Sequence, residues 1–425
     1  MPPENYTQNP TPPNEPSLPK PPKLSKKRIA LLALLAGIVL LVAAWFLAFR
    51  SEGSQPGSGS SRESNQTSNT DTHPDRIRLI ATGDFIAHDA VNKNAEKDGS
   101  YDYLQFMKDF EPVFQTADIR FCNDPILNGG KQFGITGYPN FNSPTEFVDD
   151  MNRLGCNLVN TASNHSFDKT QAVIDASVDA WAKQGNLLAV AGQNKDSTQH
   201  DMVHTFEIKG VKFAFLSYTT YLNKGTSPNN FGVNMFSKDF ASKQIAEAKA
   251  AGAKVIIVSM RWGTEYSSAV NAAQKSNAQF LADQGVSLVL GHGPHVLQPV
   301  DKLKGSGGNE TVVWYSLGNF LNTQEPAESL FGALGVVDFK ASDGSISSIG
   351  YLPIYMHYEW TQQQKAAGDL LARKSLRMYL LEDATQDMID KNQLSTTVAA
   401  QDARIKQILN TSVPVTTYTS EQYYQ

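Results

Sequence analysis

An α/β sandwich with a largely parallel interior is the fold class this chain predicts, on three observations. A unit of amphipathic helix, glycine, apolar strand and polar segment recurs at least three times. Three polar segments that directly follow strand-like runs carry the reactive residue types: Gly83-Asp84 with His88, Ser163-Asn164-His165, and Gly291-His292-Gly293-Pro294-His295. Four of the eight histidines fall in those segments, and ligand sites of open α/β sheets gather at the carboxyl ends of strands.

The elements follow in order. Residues 1–28 are rich in Pro and Asn without apolar periodicity and read as a disordered tail. Lys26-Lys27-Arg28 then precede an uncharged apolar run, Ile29 to Phe49. At helical rise those residues span about 30 Å, enough to cross a bilayer, and the run is longer than a cleavable signal core of about 7–15 residues. Residues 29–49 are therefore expected to form one transmembrane helix. Its flanking lysines and Arg28 place the N-terminus in the cytoplasm and the rest outside the cell membrane. Residues 50–76, mostly Ser, Gly, Asn and Thr, read as a flexible linker.

Strands are expected at Ile77–Ala81, Ile119–Cys122, Leu158–Asn160, Leu187–Ala191, Val203–Ile208, Phe213–Tyr218, Lys254–Met260, Ser287–Leu290 and Val312–Ser316, where β-branched and apolar residues cluster between turn signals. Helices are expected between them. Pro144–Leu154 starts after a candidate Ser143 cap, and Ala172–Gln184, Lys238–Ala251 and Val270–Gln284 each end at a glycine. Residues 77–360 form the main domain on this pattern. Residues 361–425, with amphipathic stretches at Leu370–Leu381 and Ala400–Leu409, read as a helical extension packed on it.

Composition narrows the function. The net charge is −5 and no Lys/Arg cluster lies beyond the linker, which argues against nucleic acid as a partner. The two cysteines, Cys122 and Cys156, are too few for a disulfide framework. Two free buried thiols are expected, a single bridge being the alternative if their strands are neighbours.

Seven segments, in order, resemble the bacterial CapA family of poly-γ-glutamate capsule biosynthesis proteins. They are Ala81-Thr82-Gly83-Asp84, Ala117-Asp118-Ile119 through Asn123, Gly137-Tyr138-Pro139-Asn140-Phe141-Asn142, Thr161 through Asp168, Trp262-Gly263-Thr264-Glu265-Tyr266, Gly291 through Val296, and Tyr315-Ser316-Leu317-Gly318-Asn319-Phe320. The resemblance implies a calcineurin-like metallophosphoesterase sandwich of mixed sheets flanked by helices. It also implies a divalent metal ion (Mn, Zn, Fe or Mg) held by Asp84, Asn164, His292 and His295, with His165 as general acid or transition-state stabiliser. An anionic surface polymer, the membrane and subunits of a capsule-synthesis complex are the implied partners.

Two positions depart from the family pattern. Where the family has Asn-x-Glu, this chain reads Asn123-Asp124-Pro125, so Asp124 would have to replace the lost ligand. Arg261 stands where the family has His before Trp-Gly. A permanently charged guanidinium cannot ligate a metal but can pair with a carboxylate or grip an anionic substrate. One bound cation is thus expected more readily than two. The leading expectation is a membrane-anchored protein outside the cell membrane acting in synthesis, export or attachment of an anionic surface polymer of the poly-γ-glutamate type. Its chemistry, if active, would be metal-assisted hydrolysis or transfer at an amide or phosphoester; a non-catalytic polymer-binding or assembly subunit with a degenerate metal site is the alternative. A phosphoesterase unrelated to capsule is a weaker third.

Overall fold

The computed structural model describes residues 73–225, 229–409, 411 and 413–424. The expected tail, membrane helix and linker up to residue 72 lie outside the described residues. Among the described residues no helix is long and apolar enough to cross a membrane.

β1 (Arg76–Asp84) is followed by a short hairpin of β2 (Glu96–Lys97) and β3 (Ser100–Tyr101), then by β4 (Ile119–Asn123), β5 (Leu158–Asn160) and β6 (Ala189–Ala191). Next come β7 (His204–Ile208), β8 (Val211–Thr219), β9 (Val255–Arg261), β10 (Leu288–His292), β11 (Leu297–Lys304) and β12 (Glu310–Leu317). β13 (Phe331–Lys340), β14 (Ile346–Glu359), β15 (Lys374–Leu380) and β16 (Thr416–Thr417) complete the set. One sheet has the order β15-β14-β13-β1-β4-β5-β6, with β16 on β14, and the other β11-β12-β10-β9-β8-β7. The interiors are parallel: β1 on β4, β4 on β5 and β5 on β6 in the first sheet, β8, β10 and β12 around β9 and β10 in the second. Antiparallel strands flank the second sheet on both sides (β11 and β7) and the first on one (β13 to β15), its other edge being the parallel β6. The expected mixed α/β sandwich is the observed one.

The side-chain period of two builds its layers. In β9 every residue is buried, as expected of a strand covered on both faces. Val255 and Ile257 join the core between the sheets, whereas Ile256, Val258 and Met260 join the outer core under helices Lys238–Ala250 and Ala272–Asp283. Phe121 of β4 meets Phe215 of β8 across the gap, ring centroids 6.1 Å apart.

Three expectations need correction. Leu370–Leu381 is mostly β15, an edge strand paired antiparallel with β14, so residues 361–425 complete the first sheet as well as adding helices. Leu376 and Met378 alternate inward with period two, and the apolar pattern there is a strand's. Helix Glu146–Leu154 begins at a Thr145 cap that makes no side-chain bond, and Ser143 does not cap it. Cys122 and Cys156 are not free thiols but a disulfide, with Cα atoms 5.7 Å apart. β4 and β5 are parallel neighbours, and Gly155 turns the chain out of the preceding helix so that Cys156 reaches Cys122.

Candidate functional site

At the carboxyl ends of five strands the inward face changes from apolar to polar. Asn123 lies two residues past Phe121, Asn160 two past Leu158, Ser217 two past Phe215, Ser259 two past Ile257, and His292 two past Leu290. Each polar residue therefore occupies the same face as its apolar predecessor. They form a continuous buried chain: Asn123 Nδ2 donates to Asp84 Oδ1, Asn160 Nδ2 to Asn123 Oδ1, and Ser217 Oγ to Asn160 Oδ1. His292 Nε2 closes it, 3.1 Å from Asn160 Nδ2 and 2.8 Å from Ser259 Oγ. Satisfied networks of this kind fix side-chain positions.

Asp84, at the end of this layer, opens onto a cleft of about 680 Å³ that His88, Asn164, His165, Arg261 and His295 also line. Gly83 explains how Asp84 gets there: a Cβ would collide with the carbonyl of Gly318, so only glycine lets β1 close on that loop. The backbone bonds Asp84 N–H to Gly318 O (3.1 Å) and Phe320 N–H to Asp84 O (2.9 Å) seal the approach. His295 sits in the left-handed region at φ 62°, a strained conformation of the kind held at functional sites. Its Nδ1 is 2.7 Å from Asp84 Oδ2, while its N–H aligns on Asn319 Oδ1 at 3.0 Å. Burial opposes ionisation of Asp84, but the contact with His295 and the charge of Arg261 hold its carboxyl below the usual carboxylate range.

His165 donates from Nδ1 to Asp168 Oδ2 at 2.7 Å, and Asp168 is itself fixed by Phe141 N–H. That partner assigns the neutral ring's proton to Nδ1 and makes Nε2 the basic nitrogen. Burial drives the His88 and His292 rings down to about 3, so both are neutral over the ordinary pH range.

Arg261 is 1% exposed, and each of its three side-chain nitrogens donates. Nε donates to Asn164 Oδ1 (2.8 Å), Nη1 to Trp262 O (3.2 Å), and Nη2 to Tyr221 OH (2.9 Å) and Glu265 Oε1 (3.0 Å). Gly293, at φ 105°, leaves the space that its guanidinium fills. The pairing with a carboxylate expected for Arg261 is thus the observed one.

Asp124 does not join this site. It is the first residue past the end of β4, where the chain turns away from the strand-end layer, and its Oδ2 accepts from Trp181 Nε1 (2.9 Å) and Asn128 Nδ2 (2.6 Å). Full burial raises its carboxyl to about 7, outweighing those two bonds. A folded-state value above the unfolded one means the protonated form is favoured by folding, so this stabilisation is complete below about pH 4 and is lost as pH rises towards 7. Asp124→Asn is therefore expected to flatten the fall in stability between those limits and to be more stable than wild type at pH 8. Urea titrations across that range measure it, and an unchanged pH profile would refute the assignment.

A divalent pair fits these residues poorly. Arg261 occupies the Asn164 carbonyl oxygen, Asp124 is turned away, and His292 Nε2 is held by Asn160 and Ser259. Among the described residues no three His, Cys, Asp or Glu side chains gather as a metal-holding group. Two buried atoms, Asp84 Oδ2 and His292 Nδ1, lack an aligned hydrogen-bond partner and remain as donors for one cation at most.

Sequence reasoning missed several cleft residues. Asn223 Nδ2 lies 3.3 Å from His165 Nε2, and Lys224 Nζ donates to Asp168 O. Tyr221 stacks under the Arg261 guanidinium at 5.0 Å. Arg373 reaches the cleft from the segment read as helix. The first three lie in the loop after β8 and Arg373 in the turn before β15, and no motif marks any of them.

Fold and cleft define a two-sheet α/β protein with a histidine- and arginine-lined site at its parallel strand ends. The chain belongs to the bacterial capsule synthesis protein family PGA_cap, whose model matches residues 78–324. It is 25% identical over 324 residues to the PGA biosynthesis protein CapA of Bacillus subtilis (strain 168), covering 75% of this chain and 82% of that one. It is 24% identical over 292 residues to the capsule biosynthesis protein CapA of Bacillus anthracis, covering 66% and 67%. Among solved structures, the calcineurin-like phosphoesterase YfkN of Bacillus subtilis is similar at 14% identity and TM-score 0.37, over 78% of this chain and 96% of that one. A phosphatase of Mycoplasma pneumoniae is similar at 12% identity and TM-score 0.42, over 66% and 94%.

Proposed function

We propose that this protein serves in the biosynthesis of an anionic capsule polymer of the poly-γ-glutamate type, binding the polymer in the strand-end cleft during its synthesis, export or attachment. One observation carries the reading: Arg261, Arg373, Lys224, His165 and His295 all line one cleft, against Asp84, Glu265 and Glu325 as its acids. Asp84 is in contact with His295, and Glu265 with Arg261. The names of the two Bacillus relatives supply the polymer class. The test is binding of a γ-linked glutamate decamer to the full-length chain, which should weaken as salt is raised. Absence of measurable binding would overturn the reading.

In this reading the domain works outside the cell membrane, tethered by the apolar run 29–49, with the basic residues before it on the cytoplasmic side. A reporter enzyme fused after Thr72 and active only when exported should be active; activity of a cytoplasm-dependent reporter at that point would sink this topology.

A second reading, metal-assisted hydrolysis or transfer, is favoured by Asp84 Oδ2 and His292 Nδ1, both buried and without aligned partners. In that case His165, with its proton held at Nδ1 by Asp168, offers Nε2 for proton transfer.

A further inference from the structure

Arg373 differs from Arg261 in what its donors do. Its side chain is 4% exposed, and its guanidinium carbon lies 4.5 Å from the Trp360 ring centroid and 5.0 Å from that of Tyr358. Nη1 donates to Thr323 O. Nε and Nη2 have no aligned hydrogen-bond partner among the described residues. The nearest acid, Glu325, places Oε1 3.8 Å from Nη2, and its own side chain is 56% exposed.

A buried cation with unused donors is costly unless an anion completes it. The two unused groups are the edge of the guanidinium that grips carboxylates side-on. Elsewhere in this chain that edge is filled: Arg78 Nε and Nη2 donate to the two oxygens of Asp338 at 2.8 and 3.1 Å. Arg373 offers the same fork, and it lines the cleft together with Asp84, His165 and His295.

We propose that Arg373 is the carboxylate-gripping residue of this cleft, its Nε and Nη2 taking one free carboxylate of the polymer side-on, with Glu325 as the internal competitor for that fork. This inference rests on the reading of the cleft as the polymer site. Arg261 cannot take the role because each of its nitrogens is already committed. Arg373 lies beyond the residues 78–324 matched by the family model, between the Leu370–Ala372 turn and β15. The aromatic walls hold the guanidinium plane fixed, which reduces the ordering needed when a carboxylate binds.

The experiment measures binding of a γ-linked glutamate decamer and of its α-carboxamide analogue to the full-length chain and its variants by calorimetry. Arg373→Gln should weaken decamer binding roughly tenfold or more, the range for a charge-assisted pair. Wild type should discriminate strongly against the carboxamide, and Arg373→Gln should lose most of that discrimination. Arg373→Lys keeps the charge but not the fork and should recover only part of the affinity. Glu325→Gln removes the competitor at an exposed position and should tighten decamer binding. If Arg373→Gln proves misfolded by near-ultraviolet circular dichroism, Glu325→Gln decides alone: tighter binding supports the proposal and unchanged or weaker binding overturns it. Wild-type binding with no loss in a folded Arg373→Gln overturns this inference only, whereas no binding by wild type overturns the functional reading on which it stands.

Discussion

Arg261→Ala is expected to destabilise the folded chain by about 3 kcal/mol, since it removes a fully buried long side chain together with its charge-assisted bonds. The affected groups are specific. Asn164 keeps only Ser163 Oγ as donor to its carbonyl oxygen, and Tyr221 loses both its bond and its cation. Glu265 contributes little to the loss, because its side chain is 42% exposed and water replaces the guanidinium. Arg261→His should behave differently: a smaller imidazole frees the Asn164 oxygen beside Asp84 and His295, and divalent-cation affinity should rise. Denaturant titration measures the first effect and metal-binding calorimetry the second. A cost for Arg261→Ala below about 1 kcal/mol would mean that the bonds listed are not holding the site.

Removing the disulfide by Cys122→Ser with Cys156→Ser is the second large effect. The bridge closes a stretch of 34 residues, for which unfolded-chain entropy assigns about 3–4 kcal/mol. The loss should appear as a lower denaturation midpoint, and wild type under reductant should match the double variant. Because the bridge pins the Gly155 turn beside β4, the buried polar layer at Asn123 is expected to loosen with it. Equal midpoints for variant and wild type would contradict this account.

Much of the molecule was legible because two signals coincide in the sequence. β-branched runs such as Val255-Ile256-Ile257-Val258 end in polar residues, and glycines close the helices before them, so strand, order and rim position could all be read. Asp84, Asn164, His165, Arg261 and His295 reach one cleft for that reason. Asp124 failed because β4 ends at Asn123: the next residue leaves the strand-end layer, and its carboxylate meets Trp181 and Asn128. β15 was misread because Leu370-Leu371-Ala372 mimics a helical start; those residues form a single tight turn before the strand. Arg373 and the Asn223-Lys224 pair were invisible because long-range folding, and no local pattern, carries them to the cleft. The disulfide hinged on whether β4 and β5 were neighbours, a fact of topology.

The central claim is that the cleft holds an anionic polymer through its own cations and not through a metal pair. Its most direct test strips the purified full-length chain with a strong chelator, verifies the metal content by elemental analysis, and then measures binding of the γ-linked glutamate decamer. The account predicts that affinity survives chelation and that no tightly held pair of cations is found before it. Binding that disappears on chelation, returns with added Mn or Zn, and accompanies a stoichiometric metal pair would contradict it.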